Sequence, residues 1–561
     1  MPQRSLNLTI IGTLALLGAA PALAQVLPIP DAGRILQETR PAPERRPEVT
    51  LPPLQSPAQP KPAVPAGAGD VRVNVTHFEF SGNNALSNET LRAAVAAWSG
   101  RALNFGELIE AVEAVEAAYK TAGYFLAQGY LPPQKIKDGA IEIAVTEGRL
   151  GETRLEGESR VNPDVLFAYL DRLPKGRALT LPILERQVLL INELAGGRAS
   201  LDMQAGEEPG STDIVLAQQP EEATSGRFEL NNHGSPSTGG KRQSLNVNAN
   251  SPFHLGERIT ASVMNTDTNK LISYNLRGEL PVGGAGWRLI AGASRAEYSL
   301  GGSFAALNAN GQADSWRLGA GYPFIRSRAA NLKLNMELDR TKLLDRFRAA
   351  GTETAKQSHG LSMTLGADTI DEWMGGGSSR AELALRTARL TLDPTAAATD
   401  APPAGLGTAG RFNKISLTAQ RQQSLNRDWS LQGNLQWQMS DKNLDSSEKL
   451  VLGGPTIMPG YANGEASGDS GVLAKLALRW QALPEVALSV FADYGRLKLS
   501  RDALDGVSKN DKRLSDSGLS VDWLIGKGFN ASAIIAWAGQ EAPNTADNAQ
   551  PRMWFSVGYG W

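Results

Sequence analysis

Residues 431–439 read Leu431-Gln-Gly-Asn-Leu-Gln-Trp-Gln-Met439 and alternate without a break. One face collects Leu431, Gly433, Leu435, Trp437 and Met439, and the other Gln432, Asn434, Gln436 and Gln438. Successive side chains of a strand point to opposite sides, so a period of two describes a strand with one apolar and one polar face. Wound as a helix, the same residues would scatter both kinds around the axis.

The pattern repeats in both directions. Leu245, Val247 and Ala249 oppose Asn246, Asn248 and Asn250. From Gly226 onward about sixteen segments of roughly ten residues follow one another, separated by Gly, Asn, Asp and Ser. Those at 312–322, 331–341 and 357–368 belong to this train. A soluble sandwich alternates too, but hides its apolar face, whereas a barrel in lipid turns that face outward and keeps water inside. The last residues favour the barrel: Met553, Phe555, Val557, Tyr559 and Trp561 form one apolar face ending on an aromatic residue. An even number of strands suits a single-chain bacterial barrel.

Composition narrows the function. With 56 basic and 58 acidic residues, a net charge of -2 offers no footprint for nucleic acid. The chain has 0 cysteines, which removes disulfides, thiolate metal sites and cysteine nucleophiles together. After the N-terminal segment no run of 18 apolar residues occurs, so a membrane role requires strands.

That N-terminal segment has Arg4 before an apolar run from Leu6 to Ala20, then Ala22-Leu23-Ala24. It reads as a signal peptide over 1–24, too short for a span of about twenty residues. Residues 25–70 hold a helix-capable string at 31–40 followed by PAPERRPEVTLPPLQSPAQPKPAVPAGAG, where prolines exclude both helix and sheet. A linker of about 29 residues at ~3.1 Å each would reach roughly 90 Å when extended.

Between linker and barrel the period changes. A strand near Val73 to Phe80, helices at 86–98 and after Asn104, and two strands around Lys137-Asp138-Gly139-Ala140 predict a βααββ unit over 71–148. A looser copy occupies 149–220, with helices at 163–170 and 184–194 and strands at 199–203 and 212–216. The barrel takes 221–561, with a long sixth loop at about 441–470.

Inside that loop lies the stretch Leu452 to Gly471, LGGPTIMPGYANGEASGDSG, with six glycines and two prolines. Its Gly468-Asp469-Ser470-Gly471 matches the string around a serine-protease nucleophile. The histidines, His77, His233, His254 and His359, stand in no protease-like setting. A phosphate cradle would need a Lys-Ser/Thr and a following helix, and here a strand follows. The reading is therefore no catalytic residue, no cofactor and no metal, with the glycines permitting a compact hairpin folded back into the pore.

Several strings carry a family resemblance. Phe78-Glu-Phe-Ser-Gly-Asn83, Tyr119-Lys-Thr-Ala-Gly-Tyr124 and Leu131-Pro-Pro-Gln134 resemble the first POTRA module of the two-partner secretion transporters, the TpsB or ShlB/FhaC/HecB group. Leu444 to Gly454, Gly460-Tyr461 and Ser467 to Gly471 resemble their loop six, and Phe491-Ala-Asp-Tyr-Gly495 their F-x-D-x-G wall motif. The resemblance covers nearly the whole mature chain. It implies two α+β POTRA modules in the periplasm, followed by a sixteen-stranded antiparallel transmembrane barrel in the outer membrane. It further implies a monomeric channel that recognises an unfolded, exported TpsA-like partner and passes it to the cell surface without nucleotide. The alternative within the superfamily, which includes BamA, is an assembly factor for outer-membrane proteins.

Candidate site residues follow from the same resemblance. The helix at 31–40, with Asp31, Arg34, Ile35 and Leu36, is the implied pore plug. The loop-six tip is Met458, Pro459, Gly460 and Tyr461, where the family usually has Val-Arg-Gly-Tyr. In relatives that arginine reaches the aspartate of F-x-D-x-G, here Asp493, flanked by Phe491 and Gly495. Val486, Leu488 and Val490 alternate with these residues, which places Asp493 on the lumenal face. Pro459 cannot make the charge pair, so another cation is expected. A turn near Leu483 puts Lys475 opposite Phe491 and diagonal to Asp493, with Arg479 on the same face.

Overall fold

The computed structural model describes residues 29–40, 71–208, 210–403, 405–504, 509–539 and 550–561. The expected signal peptide and the proline-rich stretch fall outside the described residues.

Helix α1 (Ala32–Glu38) starts on Asp31, whose carboxylate accepts the Arg34 N–H. The first α+β unit comprises β1 (Val73–Val75), β2 (His77–Ser81), α2 (Asn88–Ala94), β3 (Arg101–Leu103), α3 (Phe105–Thr121), β4 (Gln128–Tyr130) and β5 (Ala140–Thr146). Asn104 and Glu107 close a capping box at the start of α3, satisfying two orphan N–H groups at once. Strand β5 is central, parallel to β2 and antiparallel to β4. Phe78, Leu91, Val115, Tyr119 and Ile143 fill the core between sheet and helices. One expectation is corrected here. The antiparallel partner of β5 is Gln128–Tyr130, and residues 137–139 form only the tight turn into β5. Gln128–Tyr130 is too short to display a period, and Pro132-Pro133 ends it.

The second unit repeats the plan with β6 (Arg149–Gly157), α4 (Pro163–Leu170), α5 (Leu181–Ile191), β7 (Gly197–Ala205) and β8 (Ser211–Pro220). Central β8 is parallel to β6 and antiparallel to β7.

Sixteen strands then close into one antiparallel barrel. In chain order they are β9 (Thr224–Asn231), β10 (Arg242–Asn250), β11 (Arg258–Thr266), β12 (Leu271–Val282), β13 (Trp287–Ser299), β14 (Ala309–Arg326), β15 (Ala330–Phe347) and β16 (Thr352–Asp371). They continue with β17 (Gly377–Leu392), β18 (Gly410–Ser424) and β19 (Trp429–Ser440). After loop six come β22 (Ser470–Leu483), β23 (Val486–Lys498), β24 (Asp511–Gly526), β25 (Phe529–Ala538) and β26 (Arg552–Gly560), which pairs with β9. The loop has its own short hairpin, β20 (Leu450–Leu452) with β21 (Ala466–Gly468).

Each predicted segment overlaps one of these strands. Three are markedly longer than their alternation suggested: β14, β15 and β16 extend past 312, 341 and 357 towards the loop end. Beyond the lipid a strand needs no apolar face, so charged residues such as Asp345, Arg346 and Glu353 interrupt the pattern while pairing continues.

The barrel is inverted relative to a soluble fold. Outward Trp316 and Val490 are 66% and 57% exposed, whereas inward Ala313 and Ala487 are 0% and 1% exposed. On the closing strand Met553, Phe555 and Val557 face out while Trp554 is buried in the lumen. Aromatic pairs gather at the end nearest the α+β units: Trp429 stacks on Trp480 at 5.7 Å and Trp287 lies 4.8 Å from Tyr322. Such a girdle marks a membrane–water interface.

The second unit is latched to that same end. Arg186 on α5 donates to the carbonyls of Pro323 in β14 (2.7 Å) and Ala285 in the turn between β12 and β13 (3.3 Å). Glu193 pairs with Arg288 at 2.9 Å and Arg326 at 2.5 Å.

Candidate functional site in the barrel lumen

Two elements fill the pore, α1 and loop six. Leu36 and Ile35 pack against Leu271, Tyr298, Ala313 and Leu343 on the wall formed by β12 to β15. The first N–H of the helix, on Ala32, donates to Asp345 Oδ1 at 2.7 Å, and Tyr298 donates to the same oxygen. The opposite side of α1 meets loop six. Ser446 Oγ donates to Asp31 Oδ2 (2.6 Å), Gln37 to the Ser446 carbonyl (2.8 Å), and Arg34 to the Asn463 carbonyl (2.6 Å). Gly33 allows the close approach, because a Cβ there would lie 2.3 Å from Ser446 Oγ. Glu38 pairs with Arg242 of the wall at 3.0 Å.

The base of loop six is held by charge. Glu448 accepts from Lys414 at 2.7 Å and from Arg386 at 3.0 Å, and Asp445 pairs with Lys356 at 2.7 Å. Burial alone would raise both carboxyls, yet the neighbouring cations hold them below the ordinary carboxylate range. Asp469 of the GDSG string is fully buried and ties the two ends together. It accepts from the Leu444 N–H (3.1 Å) and the Arg501 N–H (2.7 Å) and pairs with Lys449 (2.7 Å). Ser470 is the first residue of β22, and its Oγ accepts from the Ser440 N–H.

At the tip, Met458 and Tyr461 are fully buried, packed with Leu452, Leu473, Leu497 and Leu514. Gly453 and Gly454 carry φ of 99° and 105°, which lets the chain turn down into this pocket. Every position of the wall motif has a task. A Cβ on Gly495 would strike Leu452 at 2.5 Å, so its absence makes room for the hairpin. Phe491 packs against Gly518, and Asp493 lies directly beside Asp516 on β24.

The grip on the tip comes mainly from the backbone. Gly460 N–H donates to Asp516 Oδ2 at 2.6 Å, Trp554 Nε1 to the Pro459 carbonyl at 2.8 Å, and Gln550 to the Gly460 carbonyl at 3.0 Å. Tyr461 Oη donates to the Ser515 carbonyl at 3.0 Å. Pro459 thus takes part through its carbonyl alone.

Of the two candidate cations, Lys475 meets Asp493 and Arg479 does not. Lys475 pairs in register with Asp493, its Nζ 3.5 Å from Oδ2, and also donates to the Thr456 carbonyl at 2.8 Å. The expected register was two residues out, because the turn lies at Pro484-Glu485 with a bulge between Gln481 and Leu483. Arg479 reaches Asp522 at 2.5 Å instead. Asp516, Trp554 and Gln550 escaped sequence reasoning. Alternation puts Asp516 and Trp554 on lumenal faces, but their meeting with the tip depends on β24, β26 and loop six coming together in the closed barrel.

Replacing Lys475 by Met removes the cation beside two neighbouring carboxylates, a loss of about 1–3 kcal/mol. Severalfold weaker export and protease cleavage of loop six on intact cells are the expected results, with Lys475→Arg near wild type. Wild-type protection in Lys475→Met would remove Lys475 from the tip's support.

A barrel with an apolar exterior, a polar lumen filled by a helix and an infolded loop, and α+β units latched at one end defines an outer-membrane transporter. Residues 210–508 match the family described as Haemolysin secretion/activation protein ShlB/FhaC/HecB, and residues 73–148 match the POTRA domain, ShlB-type. The chain belongs to the ShlB/FhaC/HecB family, whose POTRA units are periplasmic. It is 24% identical over 549 residues to the heme/hemopexin transporter protein HuxB of Haemophilus influenzae (strain 86-028NP), covering 94% of each chain. Identity to the outer membrane transporter CdiB of Escherichia coli is 24% over 451 residues, covering 76% of this chain and 72% of CdiB. The solved structure of CdiB from Escherichia coli superposes with a TM-score of 0.68 at 20% identity, covering 89% of this chain and 93% of CdiB.

Proposed function

We propose that this chain is the outer-membrane pore of a two-partner secretion system, working as a monomer surrounded by lipid. It takes an unfolded protein from the periplasm and conducts it to the cell surface. The observation that carries this reading is a wide polar lumen closed by two elements bound through hydrogen bonds and ion pairs, contacts that an arriving chain can replace.

Entry begins at the two α+β units, which we read as POTRA 1 and POTRA 2. Strands β2 and β7 each pair on one side only, so an extended segment can add to either edge. Main-chain pairing gives affinity with little demand on sequence. In this scheme α1 is the plug, withdrawn on its proline-rich leash, and loop six stays pinned at its tip to line the route.

The test is deletion of the gene followed by assay of the secreted partner in the medium. Loss of that protein with other outer-membrane barrels at normal levels is expected. Unchanged export with a general loss of barrels would instead identify an assembly factor.

A further inference from the structure

On the outer face, at the end of the barrel opposite the POTRA units, basic residues line up across adjacent strands. Arg340 on β15 pairs in register with His359 on β16, His359 with Arg389 on β17, and Arg389 with Arg411 on β18. All four side chains are exposed, while the alternate residues Thr341, Ser358, Ala388 and Phe412 are buried. Lys342 stands one outward position further from the POTRA end, also exposed. Towards the POTRA end the same face turns apolar, with Leu338 and Leu385 59% and 50% exposed. The row therefore sits at the rim of the lipid-facing band, where charge costs little, and not at its middle.

Across β16 to β18 the row has no ion-paired acidic partner among the described residues. Lys342 faces Asp314 directly across the β14–β15 ladder, a carboxylate that Arg295 also engages at 2.6 Å; Glu353 is engaged by Arg346 at 2.7 Å, and Asp441 accepts from Asn413. Arg340 donates to Gln357 at 3.0 Å. Arg389 and Arg411 have no hydrogen-bond or ion-pair partner among the described residues. Like charges directly across a sheet repel, so Arg389 beside Arg411 is unfavourable without an anion to bridge them. Next to the row, an open groove of about 660 Å³ crosses the outer faces of β10 to β15, floored by Val247, Val263 and Leu276 and edged by Trp316, with Arg295, Asp314 and Lys342 at its end. Trp316 is itself the register neighbour of Arg340.

We propose that this face binds a phosphorylated, multiply acylated glycolipid of the outer leaflet. Its phosphates lie on Arg340, Lys342, Arg389 and Arg411, and an acyl chain lies in the groove. The planar guanidinium donors match phosphate oxygens in pairs, which a row of lysines would not do. Bound lipid offsets the repulsion within the row and orders the outer edge of β15 to β18. The inference rests on the outer-membrane placement alone; because its test uses no partner protein, it fails or stands separately from the export reading.

The full chain, purified in detergent, is titrated with diphosphoryl lipid A, with its dephosphorylated form and with inorganic phosphate, and retention is read by native mass spectrometry. The wild type is expected to hold the diphosphoryl form, and an Arg389→Gln/Arg411→Gln variant to hold it about tenfold more weakly or worse. Lys333→Gln/Arg380→Gln, which removes two charges from the lumenal wall, is expected to match the wild type. Heat-dependent gel migration shows whether each barrel is folded. Should the double variant not fold, the wild type still decides the matter, because raised ionic strength must weaken retention. Equal retention of the dephosphorylated lipid, or retention unaffected by both salt and Arg389→Gln/Arg411→Gln, would overturn the proposal. Inorganic phosphate bound as tightly as the lipid would show a site for a free anion and overturn it equally.

Discussion

Gly460→Val is expected to reduce export of the partner protein at least about tenfold while leaving the barrel inserted and folded. An ideal Cβ at residue 460 would lie 2.7 Å from Asp516 Cβ, closer than packed carbons approach, and 3.0 Å from the Ala538 nitrogen on the neighbouring backbone. Relief means withdrawing the tip, which breaks the Gly460 N–H bond to Asp516 and, within one residue on either side, the bonds from Trp554 and Tyr461. Overpacking of this kind costs about 1–3 kcal/mol and a lost hydrogen bond to a carboxylate about 1.5–3 kcal/mol. Either is comparable to the 1.4 kcal/mol that makes a factor of ten. The wall is unaffected, because no barrel ladder passes through Gly460. Partner protein in the medium, protease access to loop six and heat-dependent gel migration together provide the readout. Normal export with an accessible loop would show that the docked tip is dispensable.

Gly33→Val is expected to open the pore. The added carbons would meet Ser446 Oγ at 2.3 Å and the Ser447 nitrogen at 2.7 Å, so α1 cannot seat between the wall and loop six. Its other attachments, the packing of Ile35 and Leu36 on the wall, the bond from Ala32 to Asp345 and the pair of Glu38 with Arg242, all depend on that seating and loosen once the helix shifts. Single-channel recording in planar bilayers should show severalfold higher conductance than the wild type. Glu38→Gln, which removes the ion pairs with Arg242 and Arg34 and leaves the fit intact, should produce a smaller rise. Wild-type conductance from Gly33→Val would mean that loop six alone sets the pore's resistance.

These two variants act on residues of different visibility in the sequence. Gly460 stands in a string that resembles the family's loop six, and Pro459 beside it marks the departure from the usual arginine. What replaces that arginine was readable as two candidates, Lys475 and Arg479, and the structure brings Lys475 to Asp493. The expected register for Lys475 is two residues out, since the turn lies at Pro484-Glu485 and the bulge between Gln481 and Leu483 takes back only one of the three residues this adds. Arg479, the other candidate, turned out to serve Asp522. Asp516 and Trp554 are ordinary lumenal positions by alternation, and nothing local distinguishes them from Ser520 or Ser556. Gly33 lies in a helix whose string of small and apolar residues says nothing of the serine it touches more than four hundred positions later.

The sequence by itself determined the train of strands, their inward and outward faces, the lipid-facing exterior and the two α+β units. All of these are set by periodicity over a few neighbouring residues and by what each face must be dissolved in. Only the tertiary structure decided where β14 to β16 stop, which strand completes the first sheet, which cation meets Asp493, and how α1 and loop six share the lumen. Those outcomes depend on cross-strand register and barrel closure, which bring together side chains whose separation along the chain carries no local signal.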